Sequence, residues 1–243
     1  MFLDSGDIAA GEPVEADVCI IGGGAAGIAV ALGLAGSFRR IVIVEGGGLA
    51  AGDAPRRPPR VRPRGKAHAD LGPDPSRQWF FGGNTNTWAG NCRPFDPPDM
   101  EERAWASEPG WPITREDLLP WYERAQSMLN LGDFGWYDVA ATRSHLTHPT
   151  VETDPAVCTT RLMQVCPVPS MATLHHERLA TESSLRILVR CEVIRLVRDG
   201  QGAVAAVEVA GADGRLMQVA AGTFVLAGGG VANARMLLDA DLG

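Results

Sequence analysis

DVCIIGGGAAGIAVALGLAGSFRRIVIVEGGG, residues 17–48, decides the fold. A short apolar run, Val18 to Ile21, leads into Gly22, Gly24 and Gly27 at G-x-G-x-x-G spacing, where a small-residue helix containing Ala26 opens. A second apolar run, Ile41 to Val44, ends on Glu45, eighteen residues past Gly27, with Gly46 behind it. Strand, turn, helix, strand and acid together read as a dinucleotide-binding βαβ unit. The first glycine permits the tight turn, the second lets a pyrophosphate approach bare backbone, and the third lets the helix pack on the strand. Phosphates would sit at the helix N-terminus, where unpaired N–H groups and the macrodipole favour negative charge. Glu45 is placed to accept hydrogen bonds from a ribose.

The rival reading of this stretch is a membrane helix. Val18 to Ser37 carries no charge and is just long enough to span. Six of its residues are glycine, alanine dilutes the rest, and Asp17 stands directly before it, so a buried βα unit accounts for it better. The first seventeen residues have neither the basic region nor the long apolar core of a secretory signal. A soluble cytoplasmic protein without membrane partners is expected.

With 243 residues the chain can bury a sizeable core. Its formal charge of −7 argues against general nucleic-acid binding through phosphates. Cys19, Cys92, Cys158, Cys166 and Cys191 are scattered, odd in number and without a C-x-x-C pair, which indicates reduced thiols rather than disulfides or zinc. His145, His148, His175 and His176 lack the spacing and carboxylates of a metal site, and none is assigned. Pro55 to Lys66 packs six basic residues with no acid and reads as an exposed, proline-stiffened excursion.

Beyond the first unit (1–50), residues 51–185 form a loop-rich, partly helical insertion. Within it TREDLLPWYERAQSML, 114–129, reads as a helix capped by Thr114 with Asp117 at the capping-box position. Leu118, Tyr122, Ala125 and Leu129 make its apolar stripe, its aromatics are expected in the core, and Pro120 is expected to divide an initial turn from the helix proper. From Leu185 the pattern becomes strongly β. LRILVRCEVIRLVRD, AVAAVEVAG and RLMQVAAGTFVLAGGG are separated by turns at Gly200–Gly202 and Asp213-Gly214, and VANARMLL closes as a helix. A three-stranded meander thus feeds a sheet strand at 223–227. Doubly wound flavoproteins often use such a meander as the crossover where nicotinamide dehydrogenases use a helix, which favours FAD over NAD.

Together these segments resemble the FAD-binding part of the glucose–methanol–choline oxidoreductases. The resemblance rests on GGGAAG with Glu45-Gly46-Gly47, FGGNTNTWAGNCRPFDPPD (81–99), GWPITREDLLPWYERA (110–125) and FVLAGGGVANARMLL (224–238). It implies an α/β, doubly wound Rossmann-like domain over residues 1–243, with the meander as crossover over 186–243. It also implies that Gly82 and Gly83 let the backbone approach an isoalloxazine ring, with Asn84 and Thr87 bonding it and Trp88 packing near it. Asn91 would point towards a substrate hydroxyl. Val193 would meet the adenine through its backbone, and Ala227 and Gly228 would line the dinucleotide.

Some members of that family attach the flavin covalently through a histidine just before the tryptophan. Thr87 occupies that position, so non-covalent FAD is expected. In the complete family type an alcohol C–H donates hydride to the flavin while a histidine takes the hydroxyl proton. Family members are about twice as long, so the substrate domain and the catalytic histidine are expected to be absent here, and no catalytic residue is assigned. The implied substrate is a small alcohol or sugar, with a C-terminal half or partner subunit completing the enzyme. A non-catalytic dinucleotide-binding module, or a flavoprotein of another class, remains the alternative. As part of a larger type, the isolated chain is expected to hold FAD weakly and to expose apolar surface.

Overall fold

The structure is a computed structural model, described here for residues 1–8, 13–53, 78–106, 109–146, 151, 153–154 and 156–242. The basic stretch 55–66 and His148 lie outside the described residues. Two compact units are formed, one by Met1–Thr87 with Ser170–Gly243, the other by Trp88–Pro169.

The first unit is built on a seven-stranded mixed sheet. In chain order its strands and those of the second unit are β1 (Phe2–Leu3), β2 (Val14–Ile21), β3 (Ile41–Val44), β4 (Asn91–Cys92), β5 (Gln164–Val165), β6 (Leu185–Leu188), β7 (Cys191–Arg198), β8 (Val204–Gly211) and β9 (Leu216–Leu226). The helices are α1 (Ala25–Leu34), α2 (Pro97–Met100), α3 (Arg115–Met128), α4 (Val139–Thr142), α5 (Met171–Leu174), α6 (His176–Thr181) and α7 (Gly230–Asp239). The sheet runs β1-β6-β3-β2-β9-β8-β7, with β1, β6, β3, β2 and β9 parallel and the β7–β9 meander antiparallel. The expected βαβ unit is present, with its first strand starting at Val14.

Both faces of the central strands are covered where they pair, which is why Val18–Ile21 of β2 and all of β3 read as unbroken apolar runs rather than alternating ones. Side chains alternate across a strand. Ile20 therefore faces α1, where its Cγ2 lies 3.4 Å from where a Cβ on Gly27 would stand. Cys19 and Ile21 point the other way, into a cluster with Val42 and Val44. The meander supplies Leu196, Val207, Val209, Met217 and Val219 to that cluster, and Met236 of α7 packs against it.

Two features of this region differ from the sequence expectation. The run 185–199 is two strands, not one, because Arg190 adopts a left-handed conformation (φ 53°) between β6 and β7. The meander's third strand and the returning sheet strand are one element. Leu216–Ala220 of β9 pairs antiparallel with β8, and Val219–Leu226 pairs parallel with β2.

The second unit holds the short β4–β5 pair and α3. Thr114 caps α3 as expected. Its hydroxyl accepts from the Asp117 amide, and the Asp117 carboxylate accepts from the Thr114 amide at 2.8 Å. The helix does not break at Pro120 but runs through it. Proline removes the amide that would bond Glu116, but both residues are exposed, so solvent can satisfy the orphaned carbonyl. The aromatics of α3 are not core. Trp121 is 60% exposed beneath the Arg124 guanidinium, and Tyr122 is half-buried. Trp121 lies about 100° round the helix from Tyr122, off the half-buried stripe. Ala125 is exposed too.

Candidate functional site

The candidate site lies at the carboxyl ends of β2, β3 and β9. β3 and β9 flank β2 on opposite sides, so chain order reverses here, and open α/β sheets bind ligands at such a point. β2 ends at Ile21, whose carbonyl accepts from Ala227, and Gly22 turns the chain at φ 108°. A Cβ on Gly22 would stand 2.6 Å from the Ala227 carbonyl oxygen, and one on Gly27 would stand 1.9 Å from that of Gly22. Both glycines are required by packing.

Gly24 is different. A Cβ there would meet nothing within 4 Å, so its glycine is not explained by the chain's own contacts. Gly24 is the N-cap of α1 with no side-chain cap, and Ala25 and Ala26 behind it are exposed. The first amides of a helix have no intrahelical partner. Open space, bare backbone and uncapped amides are what a pyrophosphate needs, and the residues present fit one.

Glu45 follows β3 and is 9% exposed. Its carboxylate accepts from the Gly23 amide and the Gly47 amide, each at 2.8 Å, so it joins the phosphate turn to its own strand end. A carboxylate oxygen can accept more than one hydrogen bond, so the bonds to Gly23 and Gly47 are compatible with one from a ribose hydroxyl. Gly46 is half-buried beside it.

The second glycine motif, some sixty residues on, is brought onto the first. Gly82 (φ 98°) donates its amide to the Gly23 carbonyl at 2.8 Å, and a Cβ on Gly83 (φ 54°) would stand 3.1 Å from the Cα of Gly24. Asn84 is exposed, its side-chain oxygen accepting from the Gln78 amide. Thr87 is exposed and donates its hydroxyl to the Asn84 carbonyl at 3.4 Å.

Trp88 belongs to the second unit, where its indole N–H donates to the Pro169 carbonyl at 2.8 Å. Asn91 opens β4 and is exposed. Val193 lies on the edge strand β7, three residues before Leu196, and pairs with Val209 just before a register shift between Val193 and Arg195. The Cys191 amide donates to the Glu45 carbonyl, which sets this end of β7 beside the acid. Gly228 donates its amide to the side-chain oxygen of Asn233, whose side-chain amide donates to Leu226. That clamp holds the Ala227–Gly228 corner against Gly22.

Sequence reasoning missed several supports. Phe81, 2% exposed, has its ring 2.6 Å from where a Cβ on Gly23 would stand. The buried Thr85 hydroxyl donates to the Gly82 carbonyl and accepts from the Met171 amide. Asn86 donates to the carbonyls of Phe81 and Gly83. Phe81 directly precedes the glycine pair, while Thr85 and Asn86 belong to the short polar run that follows it, whose bonds close the loop itself. Arg190 and Asn233 had no local signal.

All five cysteines are free thiols. Burial pushes Cys19 and Cys191 up to about 12. Among the described residues no cluster of three metal-ligating side chains occurs, and no helix is long and apolar enough to cross a membrane. His175 and His176 lie in the first unit, the latter stacked on Phe2, and His145 lies in the second.

No protein-family model matches the chain, and no curated protein does. Solved structures do. Pyridoxine 4-oxidase from Mesorbium loti shares 20% identity at a TM-score of 0.59, over 92% of this chain and 51% of that one. A fungal aryl-alcohol oxidase shares 16% at a TM-score of 0.56, over 88% and 46%. The chain thus spans about half the length of the structures it matches. In fold, therefore, it is a Rossmann-like α/β domain similar to about half of each of those two oxidases.

Proposed function

We propose that the chain is the FAD-binding portion of a glucose–methanol–choline oxidoreductase that oxidises a CH–OH group of an alcohol or sugar. The observation that carries this is the convergence of the two glycine motifs, Gly83 against Gly24, at the carboxyl ends of β2, β3 and β9. An ordinary dinucleotide fold needs only the first motif. The names of the two oxidases, for pyridoxine and for aryl alcohols, support the alcohol class.

Bound FAD would supply the two-electron acceptor for the alcohol. The chain's own residues would bind and orient it. The amides at the start of α1 would hold the pyrophosphate, Glu45 the ribose, and Gly82–Gly83 would leave the ring's approach free of side chains. Thr87 offers no imidazole for a covalent link, so binding is non-covalent. No described residue is assigned as the general base, and a further segment or partner subunit would bring it. The free cysteines support a cytoplasmic location.

The test is an NMR titration of the chain with ADP-ribose, which reads even weak binding. Saturable shifts confined to Gly22–Gly27, Glu45–Gly47 and Ala227–Gly228 are expected. No shift at millimolar ADP-ribose would refute the reading. The half-length match favours one second reading, a non-catalytic module of a split enzyme. Dye reduction by the purified chain with FAD and a panel of alcohols would exclude it.

A further inference from the structure

The second unit carries a cleft of about 660 Å³ that the dinucleotide reading does not use. Its size lies in the ordinary range for small-molecule sites, about 300–1,000 Å³. The charge lining it runs against the charge of the unit. Residues 88–169 contain six arginines, no lysine and twelve acids. Four of those arginines, Arg93, Arg115, Arg143 and Arg161, line the cleft, against two acids among the described residues, Asp96 and Asp138. An acidic segment has therefore gathered most of its positive charge at one concave place.

Asp96 does not cancel the guanidinium groups beside it. Asp96 is shared, bonded by both Arg93 and Arg161, so one carboxylate faces two guanidinium groups. The Arg93 bond holds its carboxyl below the usual carboxylate range, so it stays ionised near neutrality and still leaves a positive excess. Asp138 accepts from the Ala140 and Ala141 amides, which turns its carboxylate towards the start of α4. Arg115 donates through its Nε to the Phe95 carbonyl, and among the described residues no carboxylate pairs with its remaining nitrogens. Guanidinium groups present a planar fork of donors that matches carboxylate and phosphate oxygens. Thr159 and Thr160 add hydroxyls to the same wall.

We propose that this cleft is a binding site for a small oxyanionic ligand, a phosphate monoester or carboxylate, held by Arg115 with the Arg93–Asp96–Arg161 group. The site is made wholly of residues of the second unit and does not depend on the dinucleotide assignment.

The experiment follows the arginine Nε–Hε signals of the chain by NMR while inorganic phosphate or succinate is added at constant ionic strength. Saturable shifts of Arg115 and Arg161 are expected with either probe, and none with chloride. Arg115→Gln should weaken phosphate at least tenfold, and Arg115→Lys, which keeps the charge but loses the fork, by a smaller factor. The wild-type mapping stands on its own if a variant fails to fold. Shifts that never saturate, that chloride reproduces, or that Arg115→Gln leaves unchanged would overturn the proposal. So would loss of phosphate binding on saturation with ADP-ribose, since that would place the anion at the Gly22–Gly27 turn.

Discussion

Gly27→Ala and Gly24→Ala should have opposite consequences, although both remove a glycine from the same motif. A methyl on Gly27 would lie 1.9 Å from the Gly22 carbonyl oxygen. Carbon and oxygen need roughly 3.3 Å, so α1 would have to lift by more than an ångström. Ile28, Ala31 and Leu32, all on α1 and at most 3% exposed, would lift with it. Overpacking of this kind costs about 3 kcal/mol, the upper end of the usual range. In a domain of this size that lowers the melting temperature by roughly 6–12 °C. A methyl on Gly24 meets nothing within 4 Å, and the backbone there (φ −82°, ψ −168°) suits alanine. Its stability cost should stay within about 1 kcal/mol, the loss expected for alanine at an N-cap. ADP-ribose affinity should nevertheless fall at least tenfold, about 1.4 kcal/mol, because the methyl occupies the phosphate's approach. Thermal melts with NMR titrations of both variants separate the effects. A Gly27→Ala protein as stable as wild type, or a Gly24→Ala protein with unchanged ADP-ribose affinity, would refute the reasoning.

Glu45→Gln places an amide nitrogen opposite a backbone N–H and breaks one of the two 2.8 Å bonds to Gly23 and Gly47. It should cost about 1–3 kcal/mol in urea unfolding as well as dinucleotide affinity, and an unchanged midpoint would contradict the buried geometry. Thr114→Ala removes the α3 cap and should cost about 1 kcal/mol in the second unit while leaving ADP-ribose binding intact, checked by hydrogen exchange along 115–128. Cys19 and Cys191 hold their protons up to about pH 12 when folded, while the unfolded thiols ionise near 9. Their contribution to stability is thus complete below pH 9 and is lost as pH rises towards 12, and alanine at both positions should flatten that part of a stability–pH profile. At pH 8 a thiol reagent should label the exposed Cys158 at once, and Cys19 and Cys191 only on unfolding.

The parts of the fold that could be read from residues were those with a local signature. Gly22, Gly24 and Gly27 announce the first turn, Thr114 and Asp117 announce the start of α3, and Asp213-Gly214 marks its hairpin, because each depends on chemistry within a few residues. What escaped depends on distant partners. β1 is two residues long and exists through its pairing with Ile187 and Leu188, which no periodicity could reveal. The break at Arg190 arises where a non-glycine residue is held left-handed, with its guanidinium on Asp4 and its amide on the Gly47 carbonyl. Pro120 misled because its rule assumes a carbonyl cut off from water, and Trp121 because an aromatic was equated with burial. At the site, spacing gave Gly22, Gly24 and Gly27 their separate roles because each acts within the same turn, and in the structure Gly24 stands open while Gly22 and Gly27 are closed against the chain.

The double duty of β9 has a consequence for synthesis. The central strand β2 is complete by residue 21, yet the neighbour on one of its sides begins only near residue 216, and nothing else in the sheet takes that place. At about 5–20 residues per second, a ribosome leaves that side of the nascent chain open for roughly 10–40 s. Through that interval an eight-residue strand, apolar throughout Val18–Ile21, offers its backbone to any passing strand. Yield in cells should therefore depend on chaperone supply and translation speed as much as on the finished domain's stability.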